Sequence, residues 1–134
     1  MSRPAEVVRF EGYAALFDVV DRGGDIVRAG AFSRSLAGRP GRVALLRQHG
    51  GLRPVGTIDA LVEDARGLRV AGQVPAGSTM AAALLAGAVT GLSFGYRSRR
   101  IRQRTYRELI DVDLLEVSLV AVPMQPDARV DRVW

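Results

Sequence analysis

The chain contains no cysteine, no lysine, a single histidine and no apolar run long enough to cross a bilayer. Without cysteine there can be no disulfide framework, no Cys-based zinc site and no thiol nucleophile. Without an apolar stretch of ~18–20 residues there is no membrane-spanning helix, and the opening MSRPAEVVRFEG lacks the apolar centre of a secretory signal. A soluble protein that stays inside the cell is expected. The missing lysine also changes the meaning of the net charge of +5, because all 19 basic residues are arginine. Such a pattern fits a coding bias toward arginine better than selection for phosphate contacts. The excess is local: YRSRRIRQRTYR holds Arg97, Arg99, Arg100, Arg102, Arg104 and Arg107. On strands their side chains point to opposite faces, so the segment reads as a solvated hairpin, and nucleic acid is not the expected partner.

What is present suits one domain over residues 1–134, a length that can bury about two-thirds of its unfolded surface without metal or disulfide staples. VVRFEGYAALF (7–17) is rich in β-branched and aromatic residues and reads as a strand with a bulge at Gly12. Gly23 and Gly24 form a turn before a short extended piece at Asp25 to Val27. GAFSRSLAG is a short helix stopped by Gly38 and Pro40. RVALLRQH is an apolar strand ending on the histidine. PVGTIDALVEDARGLRVAGQV is a hairpin whose loop places Gly67 in the left-handed conformation. GSTMAAALLAGAV is a helix capped by Ser78 or Thr79, with Gly87 near its end. Two long extended runs, joined near Gln103 to Thr105, follow, and Pro123 and Pro126 close the sheet. Six or seven strands and two helices give a mostly β fold, a mostly antiparallel barrel or sandwich with flanking helices.

Three positions could carry chemistry. His49, in LLRQHGG, is either a satisfied structural side chain or a proton carrier near neutrality. Ser93, in TGLSFGY, lies between Gly91 and Gly95, which allow close backbone approach or a tight bend exposing the hydroxyl. The letters match the G-x-S-x-G nucleophile elbow, but that elbow runs strand, turn, helix, and here the order is helix, turn, strand. Glu116, in VDLLEVSLVAV, shares a strand face with Leu114, Ser118, Val120 and Val122. A carboxylate in so apolar a strand needs a partner. That partner is either one of the many arginines or the ring N–H of His49, which would fix its tautomer while His49 takes the proton of Ser93.

In order, the blocks FEGYAALFDVVDRGGDIVRAGAFSRSL, LLRQHGGLRPVGTI, DARGLRVAGQV, AGAVTGLSFGY and DLLEVSLVAVPMQPDARV resemble the prohead (capsid maturation) proteases of tailed bacteriophages and gene transfer agents. The likeness runs from about Phe10 to Val130. It implies a serine endopeptidase with the herpesvirus-assemblin-like fold, a closed β-barrel wrapped by helices. It implies action inside the immature procapsid in the bacterial host cytoplasm, on the scaffold or the N-terminal segment of the major capsid protein, with self-cleavage as a further trait, while a homo-oligomer stays open. Position by position it implies His49 as general base and acid, Ser93 as nucleophile and Glu116 as the acidic member. The herpesvirus relatives use a second histidine at that third position and this chain has none, so a carboxylate or nothing orients His49. Ser118 either assists or packs.

The chemistry implied is acyl transfer without metal or cofactor. Oxyanion donors, usually worth ~3–4 kcal/mol of barrier, would come from backbone N–H groups of a glycine-bearing loop or from an arginine of the 97–107 run. Two other readings stay open. A non-catalytic capsid-assembly factor retaining the fold predicts that His49, Ser93 and Glu116 do not converge in space. A basic nucleic-acid-binding barrel would interleave aromatic residues with the arginines on an open face, where the sequence offers Tyr96 and Tyr106.

Overall fold

The computed structural model describes residues 6–38, 43–51 and 53–134. Among the described residues, eight strands and two helices follow one another as β1 (Val7–Leu16), β2 (Asp25–Val27), α1 (Ser33–Gly38), β3 (Ala44–Arg47), β4 (Thr57–Glu63), β5 (Gly67–Pro75), α2 (Thr79–Leu85), β6 (Gly91–Gln103), β7 (Arg107–Val120) and β8 (Val130–Val133). The short helix stops at Gly38 as expected, and Pro40, expected to enforce that stop, lies outside the described residues.

The strands form two four-stranded sheets. One has the order β4-β5-β1-β8, with all neighbours antiparallel. The other is built around β7: β6 runs antiparallel along one edge, while β2 and β3 pair in parallel with its two ends on the other. Neither sheet closes on itself, so the closed antiparallel barrel of six or seven strands is corrected to two open sheets, one of them mixed. Hydrophobic alternation fixes which face of a strand is buried but not the direction of its neighbour. That is why the two parallel pairings were invisible in the pattern. The proline-bearing segment is likewise not the end of the sheets: after Pro123 and Pro126 the chain returns as β8, antiparallel to β1.

The core lies between the sheets. Val8, Phe10 and Ala14 of β1 face inward with Leu68, Val70 and Val74 of β5, and from the other sheet come Leu45, Leu92, Leu109, Val112, Val117 and Leu119. Phe32 meets Phe94 edge-on, with ring centroids 5.1 Å apart. The register of β1 with β8 shifts between Glu11 and Gly12, consistent with the expected bulge. Gly67 does not take the left-handed conformation expected of it: it opens β5 opposite Leu16, and a Cβ there would lie 2.0 Å from the carbonyl oxygen of Ala15. The loop is instead closed by Asp64, whose Oδ1 accepts from the backbone N–H of Arg66 and Gly67.

The α2 helix begins as expected, with Ser78 Oγ accepting from Ala81 N at 3.2 Å, and Gly87 follows its end at φ +73°. The Arg-rich segment is an exposed β6–β7 hairpin, with Arg99 on Asp113 and Arg104 on Glu108. Among the described residues no helix is long and apolar enough to cross a membrane.

Candidate active site

Strand β7 organises the site. Its residues Glu116, Ser118 and Val120 alternate onto one face, and the antiparallel register sets Gly95 opposite Glu116, Ser93 opposite Ser118 and Gly91 opposite Val120. On the other edge β3 runs parallel, with Leu46 opposite Ser118 and Arg47 opposite Leu119. His49 follows directly in a tight turn, in which Gln48 N donates to Leu119 O and Gly50 N to Arg47 O. Gln48 and His49 both have left-handed backbones, at φ +52° and +58°. Two successive positive φ values at the centre of a turn are the type I′ signature. For non-glycine residues each costs roughly 1–2 kcal/mol, so surrounding contacts must hold them. One such contact is Gln48 Oε1, which accepts from Ala121 N at 3.0 Å.

His49 and Glu116 meet: Nδ1 of the ring lies 2.5 Å from Oε1 of the carboxylate. The side chain of Glu116 is only 12% exposed and that of His49 43%. An ionised carboxylate can only accept, so against it Nδ1 is the donor, and Nε2 is the ring nitrogen outside this contact. The other carboxylate oxygen, Oε2, accepts from Ser118 Oγ at 2.6 Å, and Ser118 Oγ in turn accepts from His49 N at 3.0 Å. Of the two partners open to Glu116 in the sequence, the structure chooses the imidazole. Among the described residues no arginine reaches it.

Ser93 is 6% exposed and lines a cavity of about 330 Å³ together with His49, Gln48, Leu92, Phe94 and Val120. No hydrogen bond engages its hydroxyl among the described residues, whereas the hydroxyl of Ser118 is bonded on both sides. Catalytic hydrogen bonds are often long before substrate arrives. The glycines framing Ser93 have specific reasons. A Cβ on Gly95 would lie 2.2 Å from Glu116 Oε1, and one on Gly91 would lie 2.8 Å from Pro123 Cδ and 2.9 Å from Val120 O. Glycine at 95 is therefore what lets the carboxylate lie across β6 to reach the histidine. His49, just past β3, thus reaches Glu116 on β7, and His49 and Ser93 of β6 line one cavity.

A second group at the cavity was missed in the sequence. Asp25, a cavity-lining residue of β2, accepts from Arg107 Nε and Nη2 at 2.9 and 2.7 Å, and Arg107 Nη2 also donates to Tyr96 Oη at 3.0 Å. The Asp25 carboxylate holds the Arg107 guanidinium above its ordinary value, and burial pushes the Tyr96 phenol up. The only sequence signal was Arg107 at the end of the Arg-rich run, and the parallel β2–β7 pairing that joins it to Asp25 is non-local. That arginine is thereby engaged structurally.

A sequence model of the family described as caudovirus prohead serine protease matches residues 2–133. The chain belongs to that family. Among its relatives is the prohead protease of Enterobacteria phage HK97, 44% identical over 92 residues, an alignment covering 65% of this chain and 41% of that protein. This family member thus spans less than half the length of that relative. Its fold is similar to the KSHV protease solved in complex with a hexapeptide phosphonate inhibitor, at TM-score 0.63 and 13% identity, over 93% of this chain and 64% of that one. It is also similar to the varicella-zoster virus protease, at TM-score 0.61 and 17% identity, over 93% and 63%. At those identities the likeness establishes the assemblin-like fold alone, now seen without a closed barrel. The sequence resemblance to prohead proteases and to their herpesvirus fold relatives is borne out.

Proposed function

We propose that residues 1–134 act as a single serine endopeptidase domain that matures a phage-type procapsid, with Ser93 as nucleophile, His49 as general base and then acid, and Glu116 as the group that orients His49. The observation carrying this reading is the His49 Nδ1 to Glu116 Oε1 contact at the rim of the cavity that Ser93 also lines. With Nδ1 protonated and held by the carboxylate, Nε2 is the nitrogen that receives the Ser93 proton as Oγ attacks a peptide carbonyl. Glu116 then stabilises the imidazolium. In the second half of the step His49 returns that proton to the leaving amine, and water hydrolyses the acyl-serine with His49 again acting as base.

Family membership supports the substrate: the scaffold or the N-terminal segment of the major capsid protein, and this chain itself. The same reasoning supports action inside the immature procapsid in the bacterial host cytoplasm, with homo-oligomers of the chain as a further trait. The test is co-expression of the protease with its cognate major capsid protein. The wild type is expected to produce a shortened capsid protein with a new N-terminus, and Ser93→Ala is expected to leave it full length. Equal processing by Ser93→Ala would overturn the reading.

A further inference from the structure

We propose that Ser118 is a positioning residue for the His49–Glu116 couple. Its hydroxyl sets the plane of the Glu116 carboxylate and anchors the backbone from which His49 projects. The consequence for rate rests on the proteolytic reading above, whereas the positioning itself does not.

The direction of each hydrogen bond follows from the chemistry of the partners. A peptide N–H only donates and an ionised carboxylate only accepts. The Ser118 proton therefore lies toward Glu116 Oε2 at 2.6 Å, and a lone pair takes the His49 N–H at 3.0 Å. With His49 Nδ1 on Glu116 Oε1, the contacts close a ring: imidazole to carboxylate, carboxylate to hydroxyl, hydroxyl to the histidine's own backbone. His49 is thus held at both ends by two side chains that stand two residues apart on one face of β7.

Such a hold is needed here. The His49 side chain is 43% exposed, so packing does not fix its ring, and its backbone is in the left-handed region. Ser118 is fully buried at 0% exposure, so water does not compete for its hydroxyl. Without that donor the carboxylate is free to rotate about its last torsion, and the backbone N–H of His49 loses its acceptor.

Because His49 is the sole histidine, the imidazole nitrogens of the uniformly ¹⁵N-labelled protein report on it without assignment. The neutral wild-type ring is expected to hold its proton on Nδ1. Ser118→Ala is expected to shift the ring toward the tautomer mixture of a free imidazole, and to lower kcat on the cognate capsid protein roughly 10- to 100-fold with KM unchanged. Ser118→Thr, which keeps the hydroxyl, is expected to restore the wild-type tautomer. A folded Ser118→Ala protein with wild-type tautomer and kcat would overturn the proposal. Should Ser118→Ala not fold, amide exchange of wild-type His49 decides, since exchange at the rate of an unstructured chain is incompatible with a Ser118 anchor. Loss of the tautomer in Ser118→Ala, with no cleavage by the wild type, would leave the positioning role standing and remove the proteolytic one.

Discussion

Gly95 stands opposite Glu116 in the β6–β7 ladder so closely that a methyl group at its Cα would lie 2.2 Å from Glu116 Oε1 and 2.8 Å from Cδ. The glycine framing the candidate nucleophile therefore serves the carboxylate directly across the ladder. Gly95→Ala must push Glu116 off the histidine or shift the strand. The expected outcome is a stability loss of ~1–3 kcal/mol, the usual range for overpacking, read by denaturant unfolding. Cleavage of the cognate capsid protein should fall more steeply than that destabilisation explains. Unchanged activity in a folded Gly95→Ala protein would show that the carboxylate need not lie where it does.

Glu116→Gln keeps the shape of the side chain but removes the charge facing the imidazole. In a serine–histidine–carboxylate triad the charge stabilises the imidazolium formed in the transition state, and its loss can lower kcat by roughly 10⁴-fold while substrate binding survives. Steady-state cleavage of the capsid protein should show kcat collapsing by two or more orders of magnitude with KM nearly constant. A rise in KM alone would assign Glu116 to substrate binding instead.

Two carboxylates away from the site, Glu108 and Asp113, are expected to contribute to the acid sensitivity of the fold. Arg28 Nε donates to the nearly enclosed Glu108 at 2.8 Å, and Arg34 Nη2 donates to Asp113 at 2.5 Å with Arg99 beside it. These guanidinium hydrogen bonds and charges hold both carboxyl groups below their ordinary values. A carboxyl depressed in the folded state binds fewer protons there than in the unfolded chain. Its stabilisation is therefore complete above the unfolded value near 4 and is lost as pH falls through the folded value. Tm followed by circular dichroism should stay level from about pH 7 to about pH 5 and fall below about pH 4. Asp113→Asn should lower Tm at neutral pH and flatten the acid fall. A Tm that stays level at low pH in the wild type would contradict this.

All three candidate residues were legible because each broke a compositional rule: the sole histidine, a serine framed by glycines, a carboxylate in an apolar strand. The His49–Glu116 contact was legible only as one of two alternatives, because β3 delivers His49 to β7 through a parallel pairing that the period of two in a strand cannot distinguish from an antiparallel one. Nor did the sequence signal the positive φ of Gln48 and His49, since no glycine marks those positions and the turn is imposed by their hydrogen bonds to β7 and its extension. Gly67 was misread for the converse reason: a glycine in a loop suggests left-handed backbone, and here it answers to the close approach of Ala15. Local signals reported which residues were unusual, and long-range pairing determined which of them lie near one another.

The most direct measurement is covalent trapping of the serine in the intact chain. A peptidyl phosphonate ester carries a tetrahedral phosphorus that an activated serine attacks, forming an Oγ–P bond and releasing the ester's alkoxide or phenoxide. Mass spectrometry of the treated wild-type chain is expected to show one adduct, on Ser93, that disappears in His49→Ala and is strongly slowed in Glu116→Gln. No adduct, an adduct on another residue, or equal labelling of Ser93 in His49→Ala would contradict the assignment.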